Sequence, residues 1–472
     1  MPKDNMKSIF KKIIVTVITW EARLILMKYK PDIIAVTGSV GKTSTKDAIY
    51  TLLSDSVFVR KSDKSFNSEI GLPLTILGCQ NGWNDPITWF GNITHGLSLI
   101  MYRNRYPKCL VLELGADHPG DIHNAVKWLR PDVSVITAVS KVPVHVEFFT
   151  SPKAVLEEKL YLARGVKKAT KKNKKAGRVV LPANDPDILA VLKEPALAGI
   201  QSYTFGVNTT ADVTANSVSI VYNDKHYPVG MSFTINYAGN SVPVTIMGVV
   251  GLQHIYSIVA ASAAALAYGI SIDAIVKAIP SHRAPKGRMN VLHGINGSVL
   301  IDDCYNASPD AVKEALAVLC DIHDPKATAY PRKIAVLGDM MELGSFSSEE
   351  HKKIGIMAAR ALTSIESPVQ GVLVTVGIRA RDIALGAESA GMSKENMQSF
   401  DTSAEAADYV KGLVANSPEG NGCDVVLVKG SQSARLERVT RAVLAGKNGK
   451  PADDAYANEV LVRQEPEWLA KA

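Results

Sequence analysis

The feature that most constrains this chain is the segment TGSVGKTS at residues 37–44, which directly follows the apolar run IIAV. The apolar run predicts a buried strand that ends at Gly38, and TSTKDAIYTLL predicts the first turns of a helix. Two glycines permit a tight turn whose backbone N–H groups point toward an anion at the helix N-terminus. The G-x-x-G-K-T spacing is two residues tighter than the common Walker A loop. A simple strand-to-helix turn is the alternative, but the Lys-Thr pair that opens the helix favours a phosphate-binding loop.

Lys42 and Thr43 have the side-chain chemistry that such a loop needs. The Lys42 ammonium can reach terminal phosphates, and the Thr43 hydroxyl can ligate Mg²⁺. The predicted nucleotide-binding residues of the loop are Gly38, Ser39, Val40, Gly41, Lys42, Thr43 and Ser44.

The length of 472 residues is too great for one hydrophobic core and predicts two or three domains. The net charge is +7, and part of the excess lies in KKATKKNKK at residues 167–175. Most such clusters are solvated loops, and contact with an anionic surface is the alternative. We expect no nucleic-acid partner. Five cysteines without C-x-x-C spacing suit a reducing compartment and form no metal motif. We therefore expect a cytoplasmic protein, and we expect it to be a monomer.

The N-terminal residues 1–30 predict an amphipathic helix. Their longest uninterrupted apolar stretch, Ile13 to Trp20, is eight residues long, whereas a spanning helix needs about 20. No small-residue cleavage site follows, so a signal peptide is not indicated. We expect the helix to dock on the protein. Peripheral contact of residues 7–30 with a membrane surface is the alternative.

Residues 31–292 predict a central domain of the α/β class. Apolar runs such as 109–116 and 133–139 alternate with helical patterns, which predicts a mostly parallel sheet wrapped by helices. From about 178 to 250, period-two alternation and turn residues predict an antiparallel β insertion. The helix that follows, at 258–269, is rich in small residues and predicts close packing.

Residues 293–446 predict a second α/β unit with the order of a Rossmann-like domain. Its strand candidates are SVLIDDC (298–304), KIAVLGDM (333–340), GVLVTVG (371–377) and DVVLVKGS (424–431). The remaining residues, 447–472, predict a polar tail, in which EPEWLA can dock.

Three further residues follow strands of the central domain. Glu113 lies near the carboxyl end of the strand CLVLELGA, where α/β sheets bind ligands, and its carboxylate suits the Mg²⁺ held by Thr43. His145 follows the next strand, and Lys159 lies in the helical segment PKAVLEEKLYLA. Taken alone, the last two are an ordinary loop histidine and an ordinary helix lysine.

Six sequence blocks, in order within residues 31–440, resemble the Mur ligase family of ATP-dependent amide-forming ligases. The blocks are TGSVGKTSTKDAI, FNSEIGLPLTIL, ELGADHPGDI, LIDDCYNASPDAVKEAL, AVLGDMMELG and LVKGSQSARLE. They are most similar to the MurF branch, whose members add D-alanyl-D-alanine to a UDP-muramoyl tripeptide in peptidoglycan synthesis. The resemblance implies a P-loop ATPase domain followed by a Rossmann-like ligase domain.

The resemblance also implies roles for individual residues of the central domain. Lys42 would hold the β- and γ-phosphates, and Thr43 with Glu113 would hold a first Mg²⁺. His145 would help hold a second Mg²⁺. Lys159 matches a family lysine that is often carboxylated by CO₂, which turns a cation into a carboxylate-like metal ligand.

Three more positions receive a nucleotide role from the resemblance. Asn67, in FNSEIG, would contact the γ-phosphate. Asp303 matches the ribose-binding aspartate, and Arg288, in KGRMN, matches an arginine that faces the nucleotide.

The implied chemistry explains this set of residues. A peptidyl carboxylate attacks the γ-phosphate of ATP to give an acyl phosphate, and the amine of an amino acid or dipeptide then displaces phosphate. Charge develops on the transferring phosphoryl group, where Mg²⁺ and Lys42 stabilise it, so no protein nucleophile is needed.

Three departures from the family pattern limit what can be transferred. The segment TAVSKVPVH has Ala138 in place of an asparagine and two extra residues before His145. The block GLQHIYS at 251–257 differs at its polar positions, so adenine contacts are not assigned. Only about 30 residues precede the first ATPase strand, where MurF has a domain that grips UDP. We expect the UDP group to be held elsewhere or to be absent from the acceptor.

Three functions remain open on the sequence. The first is MurF-like ligation, which the MELG and NASP segments favour. The second is a Mur-type ligase for another carboxylate, as in cyanophycin, poly-γ-glutamate or folylpolyglutamate synthesis. The third is a nucleotide-binding partner subunit without ligase activity, which the intact set of predicted site residues disfavours.

Overall fold

The computed structural model describes residues 2–62, 69–83, 85–139, 148–169, 176–327, 329–363, 370–417, 423–446, 449–465 and 468, with side chains from residue 12 onward. The helices are α1 (Pro2–Tyr29), α2 (Lys42–Ser54), α3 (Gly71–Leu77), α4 (Pro86–Met101), α5 (Asp121–Leu129), α6 (Pro152–Arg164), α7 (Pro186–Leu189), α8 (Leu252–Tyr268), α9 (Ile272–Ala278), α10 (Pro309–Asp321), α11 (Ser347–Leu362), α12 (Arg381–Ser389), α13 (Ser403–Ala415), α14 (Glu437–Val443) and α15 (Asp454–Val460). The strands are β1 (Asp32–Thr37), β2 (Val59–Lys61), β3 (Cys109–Glu113), β4 (Val133–Ile136), β5 (Arg178–Pro182), β6 (Gln201–Val207), β7 (Val213–Tyr222), β8 (Pro228–Tyr237), β9 (Asn240–Met247), β10 (Asn290–His293), β11 (Val299–Asp303), β12 (Lys333–Gly338), β13 (Val372–Val376), β14 (Met397–Phe400) and β15 (Val425–Lys429).

The central domain contains one continuous sheet in the order β2-β3-β1-β4-β5-β6-β7-β8-β9. The pairs from β2 to β7 are parallel, whereas β7–β8 and β8–β9 are antiparallel. The antiparallel part is narrower than the predicted range of 178–250, because β5 and β6 in that range pair in parallel. It extends one edge of the main sheet.

Apolar residues along β1 place hydrophobic layers on both sides of this sheet. Ile34 and Val36 belong to a cluster with α2 and α8, whereas Ile33 and Ala35 belong to a cluster with α1 and α3. The small-residue helix α8 is buried along most of its length and packs on α2 and on strands β4 to β7. Both faces are thus covered, as the apolar strands of a parallel sheet require.

The N-terminal helix α1 packs on α3 and α4. One face of the helix contributes the buried side chains Ile14, Ile18, Ala22 and Ile25. At its end, the Tyr29 hydroxyl donates a hydrogen bond to the Leu99 carbonyl oxygen at 2.9 Å. Within the described residues, none of the helices combines the length and the hydropathy that crossing a bilayer requires.

The C-terminal domain contains a second sheet in the order β10-β11-β15-β12-β13-β14. The pairs from β11 to β14 are parallel, and β10 is antiparallel at the edge. The strands predicted from the sequence correspond to β11, β12, β13 and β15. The predicted α/β fold, with antiparallel strands in the central part and a Rossmann-like second part, is confirmed.

The last described residues contact the C-terminal domain and the segment that joins the two domains. The Lys286 ammonium donates to the Asn458 carbonyl oxygen at 2.8 Å. The Arg463 guanidinium lies 2.9 Å from the Glu437 carboxylate, and Leu461 is buried. The segment predicted as a polar tail therefore includes packed residues.

Candidate functional site

A cavity of about 800 Å³ lies between the phosphate-loop end of the central sheet and the C-terminal domain. Residues of the central domain that line it include Ser39, Val40, Gly41, Lys42, Thr43, Ser44, Glu113, Asp117, Gln253, His254 and Ser257. Residues of the C-terminal side include Arg288, Asp303, Tyr305, Lys429, Arg435 and Trp468. Most of the predicted nucleotide-binding residues thus surround one space, which has the size of a ligand pocket.

The loop after β1 is held in place by the end of β4. The N–H groups of Ser39 and Val40 both donate to the Ala138 carbonyl oxygen, at 2.8 and 3.3 Å. The Thr137 hydroxyl donates to the Val40 carbonyl oxygen at 2.7 Å. A Cβ atom at Gly38 would lie 1.9 Å from the Thr137 hydroxyl oxygen, so only glycine fits this position.

The start of α2 supplies the anion-binding end of the loop. Gly41 has φ +84°, a left-handed conformation that glycine adopts readily, and no side chain caps the helix after it. The first N–H groups of a helix have no partner within the helix, and the helix dipole favours negative charge there. The N–H groups of Ser39 and Val40 already donate to the Ala138 carbonyl oxygen. The N–H groups at the start of α2 are therefore the main donors to the cavity.

The Lys42 side chain folds back over this loop. Its ammonium donates to the carbonyl oxygens of Gly38 and Ser39, at 2.9 and 3.3 Å. Burial lowers the pKa of Lys42, and the Glu113 carboxylate acts in the opposite direction. A phosphate in the cavity would offer this ammonium an anionic partner in place of neutral carbonyl groups.

Thr43 and Glu113 bring two oxygen ligands together at the carboxyl end of β3. The Thr43 hydroxyl donates to Glu113 Oε1 at 3.1 Å. Glu113 Oε2 is buried without a hydrogen bond among the described residues and lies 4.0 Å from the Lys46 ammonium. A hydroxyl and a carboxylate are hard oxygen ligands of the kind that Mg²⁺ prefers, so these residues fit Mg²⁺. The described residues contain no group of three or more His, Cys, Asp or Glu side chains arranged as a metal site.

Lys159 reaches the phosphate loop from α6. Its ammonium donates to the Gly38 carbonyl oxygen at 3.0 Å. Burial, and after it the charge of Lys42, lowers the pKa of Lys159 to about 7. The adjacent Glu158 carboxylate accepts hydrogen bonds at 2.8–3.0 Å from the backbone N–H groups of Gly120, Ile122 and His123. These bonds fix α6 against the start of α5 and thereby fix the position of Lys159.

The C-terminal domain and the segment that leads into it contribute charged and aromatic groups to the cavity. Asp303 and Lys429 form a buried ion pair at 2.5 Å, at the carboxyl ends of the paired strands β11 and β15. The Arg288 guanidinium lies over the Tyr305 ring, 4.2 Å from its centre. Arg288 is also tied to the central domain, because His254 donates from Nε2 to the Arg288 carbonyl oxygen at 2.9 Å.

Burial lowers the pKa of His254 to about 3, so this histidine is a neutral hydrogen-bond donor at physiological pH. His254 lies in the GLQHIYS block, which differs from the family pattern and to which the sequence assigned no role. The neighbouring Gln253 also lines the cavity, and its buried Oε1 atom has no hydrogen-bond donor among the described residues. This block therefore contributes both a contact between the domains and a polar group at the cavity wall.

The sequence analysis assigned no role to several charged and aromatic residues that line the cavity, among them Asp117, Lys429, Arg435 and Trp468. Asp117, Lys429 and Arg435 lie inside sequence blocks that resemble the family. The resemblance therefore pointed to these segments, although no role was predicted for the three side chains. Trp468 comes from the predicted tail, in the segment EPEWLA that the sequence marked as able to dock, but no motif of a nucleotide site marks it. Trp468 lies 5.4 Å from the Arg435 guanidinium, measured to the ring centre.

Two predicted site residues, His145 and Asn67, lie outside the described residues, within 140–147 and 63–68. Their predicted contacts with a second Mg²⁺ and with the γ-phosphate remain predictions.

Comparison with known families gives two consecutive matches along the chain. The Mur ligase middle domain matches residues 36–265, and the domain described as "Mur ligase, glutamate ligase domain" matches residues 287–432. Together the two matches contain the phosphate loop, Glu113, Lys159, Arg288 and Asp303.

Individual relatives and solved structures agree with these matches. A UDP-N-acetylmuramoyl-tripeptide–D-alanyl-D-alanine ligase of Mycobacterium tuberculosis (strain ATCC 25618 / H37Rv) is 31% identical over 418 residues, which cover 88% of this chain and 73% of the relative. The ligase of the same name from Bacillus subtilis (strain 168) is 26% identical over 447 residues, or 94% of this chain and 82% of the relative. The crystal structure of MurF from Thermotoga maritima in complex with ADP has a TM-score of 0.68 and 25% identity, and covers 91% of this chain and 83% of that chain.

Proposed function

This chain belongs to the Mur ligase family, and we propose that it is a MurF-type ligase. It uses ATP to join D-alanyl-D-alanine to a UDP-muramoyl tripeptide, a step of peptidoglycan precursor synthesis. The relatives that share most of its length have this activity in their names. A relative at 31% identity over 88% of the chain supports the same reaction type.

The arrangement of the cavity supports this proposal most directly. Lys42 and the start of α2 lie on one side, and Asp303 with Arg288 lie on the other. ATP bound with its phosphates at the loop would extend toward the C-terminal domain. The Thermotoga maritima MurF, which this chain resembles, was solved in complex with ADP. Both domains then contact the nucleotide, and its binding favours the arrangement in which they meet.

The reaction proceeds in two steps in this cavity. The tripeptide carboxylate attacks the γ-phosphorus of ATP, ADP leaves, and an acyl phosphate forms. The neutral amine of the dipeptide attacks the acyl carbon, phosphate leaves, the amine loses a proton, and an amide bond results. Negative charge builds on the phosphoryl oxygens in the first step, where the Lys42 ammonium and the N–H groups at the start of α2 stabilise it.

Thr43 and Glu113 would hold Mg²⁺, with His145 and Lys159 as the predicted ligands of a second ion. When bound, Mg²⁺ neutralises phosphate charge and orients the γ-phosphate. Lys159 suits carboxylation, because CO₂ combines with a neutral amine and burial lowers the pKa of this side chain to about 7. The carbamate keeps one N–H group, which can still donate to the Gly38 carbonyl oxygen.

We also propose that the protein works as a monomer in the cytoplasm. The UDP-linked substrate and ATP are both cytoplasmic metabolites in this proposal. The free thiols of Cys79, Cys304, Cys320 and Cys423 are consistent with a reducing compartment.

The proposal is tested by measuring phosphate release from ATP by the purified full-length protein. The assay contains UDP-muramoyl tripeptide with and without D-alanyl-D-alanine, and the ligated product is identified by mass spectrometry. We expect release that depends on both substrates and yields the pentapeptide. Release that depends on glutamate or on a folate instead would favour a Mur-type ligase for another carboxylate. No release with any acceptor would contradict ligase activity.

A further inference from the structure

Helices α1 and α4 form a pair on the side of the central domain that faces away from α8. Glu21 of α1 lies against Gly96 of α4, where a Cβ atom would be 2.3 Å from the carboxylate. Farther along both helices, the Lys28 ammonium donates to the Leu99 carbonyl oxygen at 2.8 Å. The contacts advance in the same direction along both helices, so the two helices run side by side and parallel.

Each helix of this pair has an apolar stripe that the protein does not cover. On α1 the exposed residues Ile13, Trp20 and Met27 recur every seventh position and therefore share one face. On α4 the exposed residues are Ile87, Phe90, Leu97 and Met101, and Phe90 and Met101 are 70% and 71% exposed. The buried residues of each helix, such as Ile18 and Leu99, lie on the other face. We call the two exposed stripes together the α1–α4 surface.

Exposed large apolar side chains are concentrated at this surface. Trp83 lies just before α4 and Tyr102 just after it, and both are exposed. Soluble proteins normally expose such residues singly, whereas a contiguous group marks an interaction site. Trp and Tyr at the ends of an apolar surface are typical of the boundary between bilayer and water.

The charges around the α1–α4 surface are almost all positive. Residues 12–30 and 85–105 contain two acidic residues, the buried Glu21 and the exposed Asp85, which caps the start of α4. The basic residues in the same ranges are all exposed: Lys12, Arg23, Lys28, Lys30, Arg103 and Arg105. A second copy of this surface would bring like charges together, whereas an anionic bilayer offers the opposite charge.

We propose that the α1–α4 surface binds the surface of an anionic phospholipid bilayer. The apolar stripes of both helices enter the interfacial region, and the basic residues contact lipid phosphates, as in other interfacial helices. The sequence alone indicated membrane contact only through residues 7–30, as an alternative to docking on the protein. In the structure, one face of α1 docks while the opposite face, extended by α4, stays available.

The test is vesicle flotation of the purified full-length protein without nucleotide, so that its outcome does not depend on ligase activity. Vesicles of phosphatidylcholine are compared with vesicles that also contain phosphatidylglycerol. We expect binding to the anionic vesicles, and we expect added salt to weaken it, because the basic residues lie at the water boundary. The double variant Phe90→Ser/Met101→Ser should bind about tenfold or more weakly, since two large apolar side chains are lost from the contact.

Ile378→Ser is the matched control, because Ile378 is 77% exposed but lies in the C-terminal domain. It should bind vesicles like the unchanged protein. Tryptophan emission should shift to the blue on binding, and the shift should shrink in Trp20→Phe/Trp83→Phe. All variants change exposed side chains, so unfolding temperature and phosphate release without vesicles should be unchanged.

Three results would overturn the proposal. One is no binding to anionic vesicles, and another is equal binding by Phe90→Ser/Met101→Ser and by Ile378→Ser. The third is self-association in gel filtration that Phe90→Ser/Met101→Ser abolishes, which would make a second copy of the chain the occupant of the surface.

Discussion

Glu21 and Glu113 are two buried glutamates of the central domain, 0% and 1% exposed, in very different surroundings. Glu113 ends β3 beside the Thr43 hydroxyl and the Lys46 ammonium, and it lines the cavity. Glu21 lies between α1 and α4 with both carboxylate oxygens lacking hydrogen bonds among the described residues. Burial raises the pKa of Glu21 to about 7. A buried acid therefore marks a reaction site only where other polar groups converge on the same space.

The largest effect is expected at the cavity, from Lys42→Ala. The substitution removes the cation at the transferring phosphoryl group, so turnover should fall roughly 100- to 1,000-fold. Phosphate release is the measurement, and Lys127→Ala, an exposed lysine of α5, is the control. Near-normal turnover by a folded Lys42→Ala protein would contradict the ATPase assignment. The cavity around Glu113 would then no longer differ in function from the surroundings of Glu21.

Lys159→Ala should reduce turnover by roughly tenfold or more, as loss of a supporting ligand does at metal sites. A short carboxylic acid such as acetate should restore part of the activity by replacing the carbamate. Bicarbonate should raise the activity of the unchanged protein in CO₂-depleted buffer but not that of Lys159→Ala. Lys153→Ala on the same helix is the control, because that side chain is exposed. Unchanged turnover in Lys159→Ala would exclude the carboxylation role.

Glu113→Gln keeps the shape of the side chain and removes its charge. The Mg²⁺ concentration for half-maximal turnover should therefore rise, by roughly tenfold, while saturating Mg²⁺ restores much of the rate. A titration of phosphate release with Mg²⁺ measures this, with the exposed Glu395→Gln as the control. An unchanged Mg²⁺ dependence would mean that Glu113 does not bind Mg²⁺ and is, like Glu21, a buried carboxyl group without a role in the reaction.

Glu21→Gln should stabilise the protein and leave turnover unchanged, whereas the three substitutions at the cavity should impair turnover. A carboxyl group whose pKa is raised from 4.5 to about 7 on folding binds its proton more tightly in the folded protein. Stability from this group is full below pH 4.5 and declines as the pH rises to about 7. At pH 8 the variant should be more stable by roughly 1–3 kcal/mol, because no charge is buried.

Chemical unfolding at pH 5 and pH 8 tests this, because the gain should appear mainly at pH 8. Other groups titrate in the same range, Asp302 among them, so the quantity to compare is the difference between variant and unchanged protein at each pH. Equal effects at both pH values would mean that Glu21 is ionised or neutral throughout. Phosphate release should not respond to this substitution.

The sequence predicted those features of the fold and of the cavity that depend on local patterns. TGSVGKTS is a strand, a turn and a helix start in order, so its conformation follows from eight consecutive residues. Glu113 could be selected because the carboxyl end of a parallel strand is where ligands bind. The Rossmann-like strands were located by their short apolar runs.

Long-range packing was not accessible in this way. Gly96, which accommodates Glu21, is 75 positions away in the chain, and no local pattern pairs them. Trp468 lines the cavity, and the nearby Arg463 forms an ion pair with Glu437 of the C-terminal domain, a contact that no local pattern marks. The parallel pairing of β5 and β6 depends on the crossover between them, whereas alternation in sequence reports only which faces are apolar. The roles of His145 and Asn67 stay predictions.

The hydrogen bonds from Ser39 and Val40 to Ala138 have a consequence for the thermodynamics of nucleotide binding. They order the phosphate loop without any help from a phosphate. Fixing the backbone of one residue costs about 1–2 kcal/mol of conformational entropy, and a loop that is ordered beforehand loses little of it on binding. In calorimetry, the ordering of this loop should thus contribute little to the entropy lost on ADP binding. Thr137→Val, which removes the hydroxyl that holds Val40, should make the measured binding entropy more unfavourable while leaving the contacts to phosphate in place.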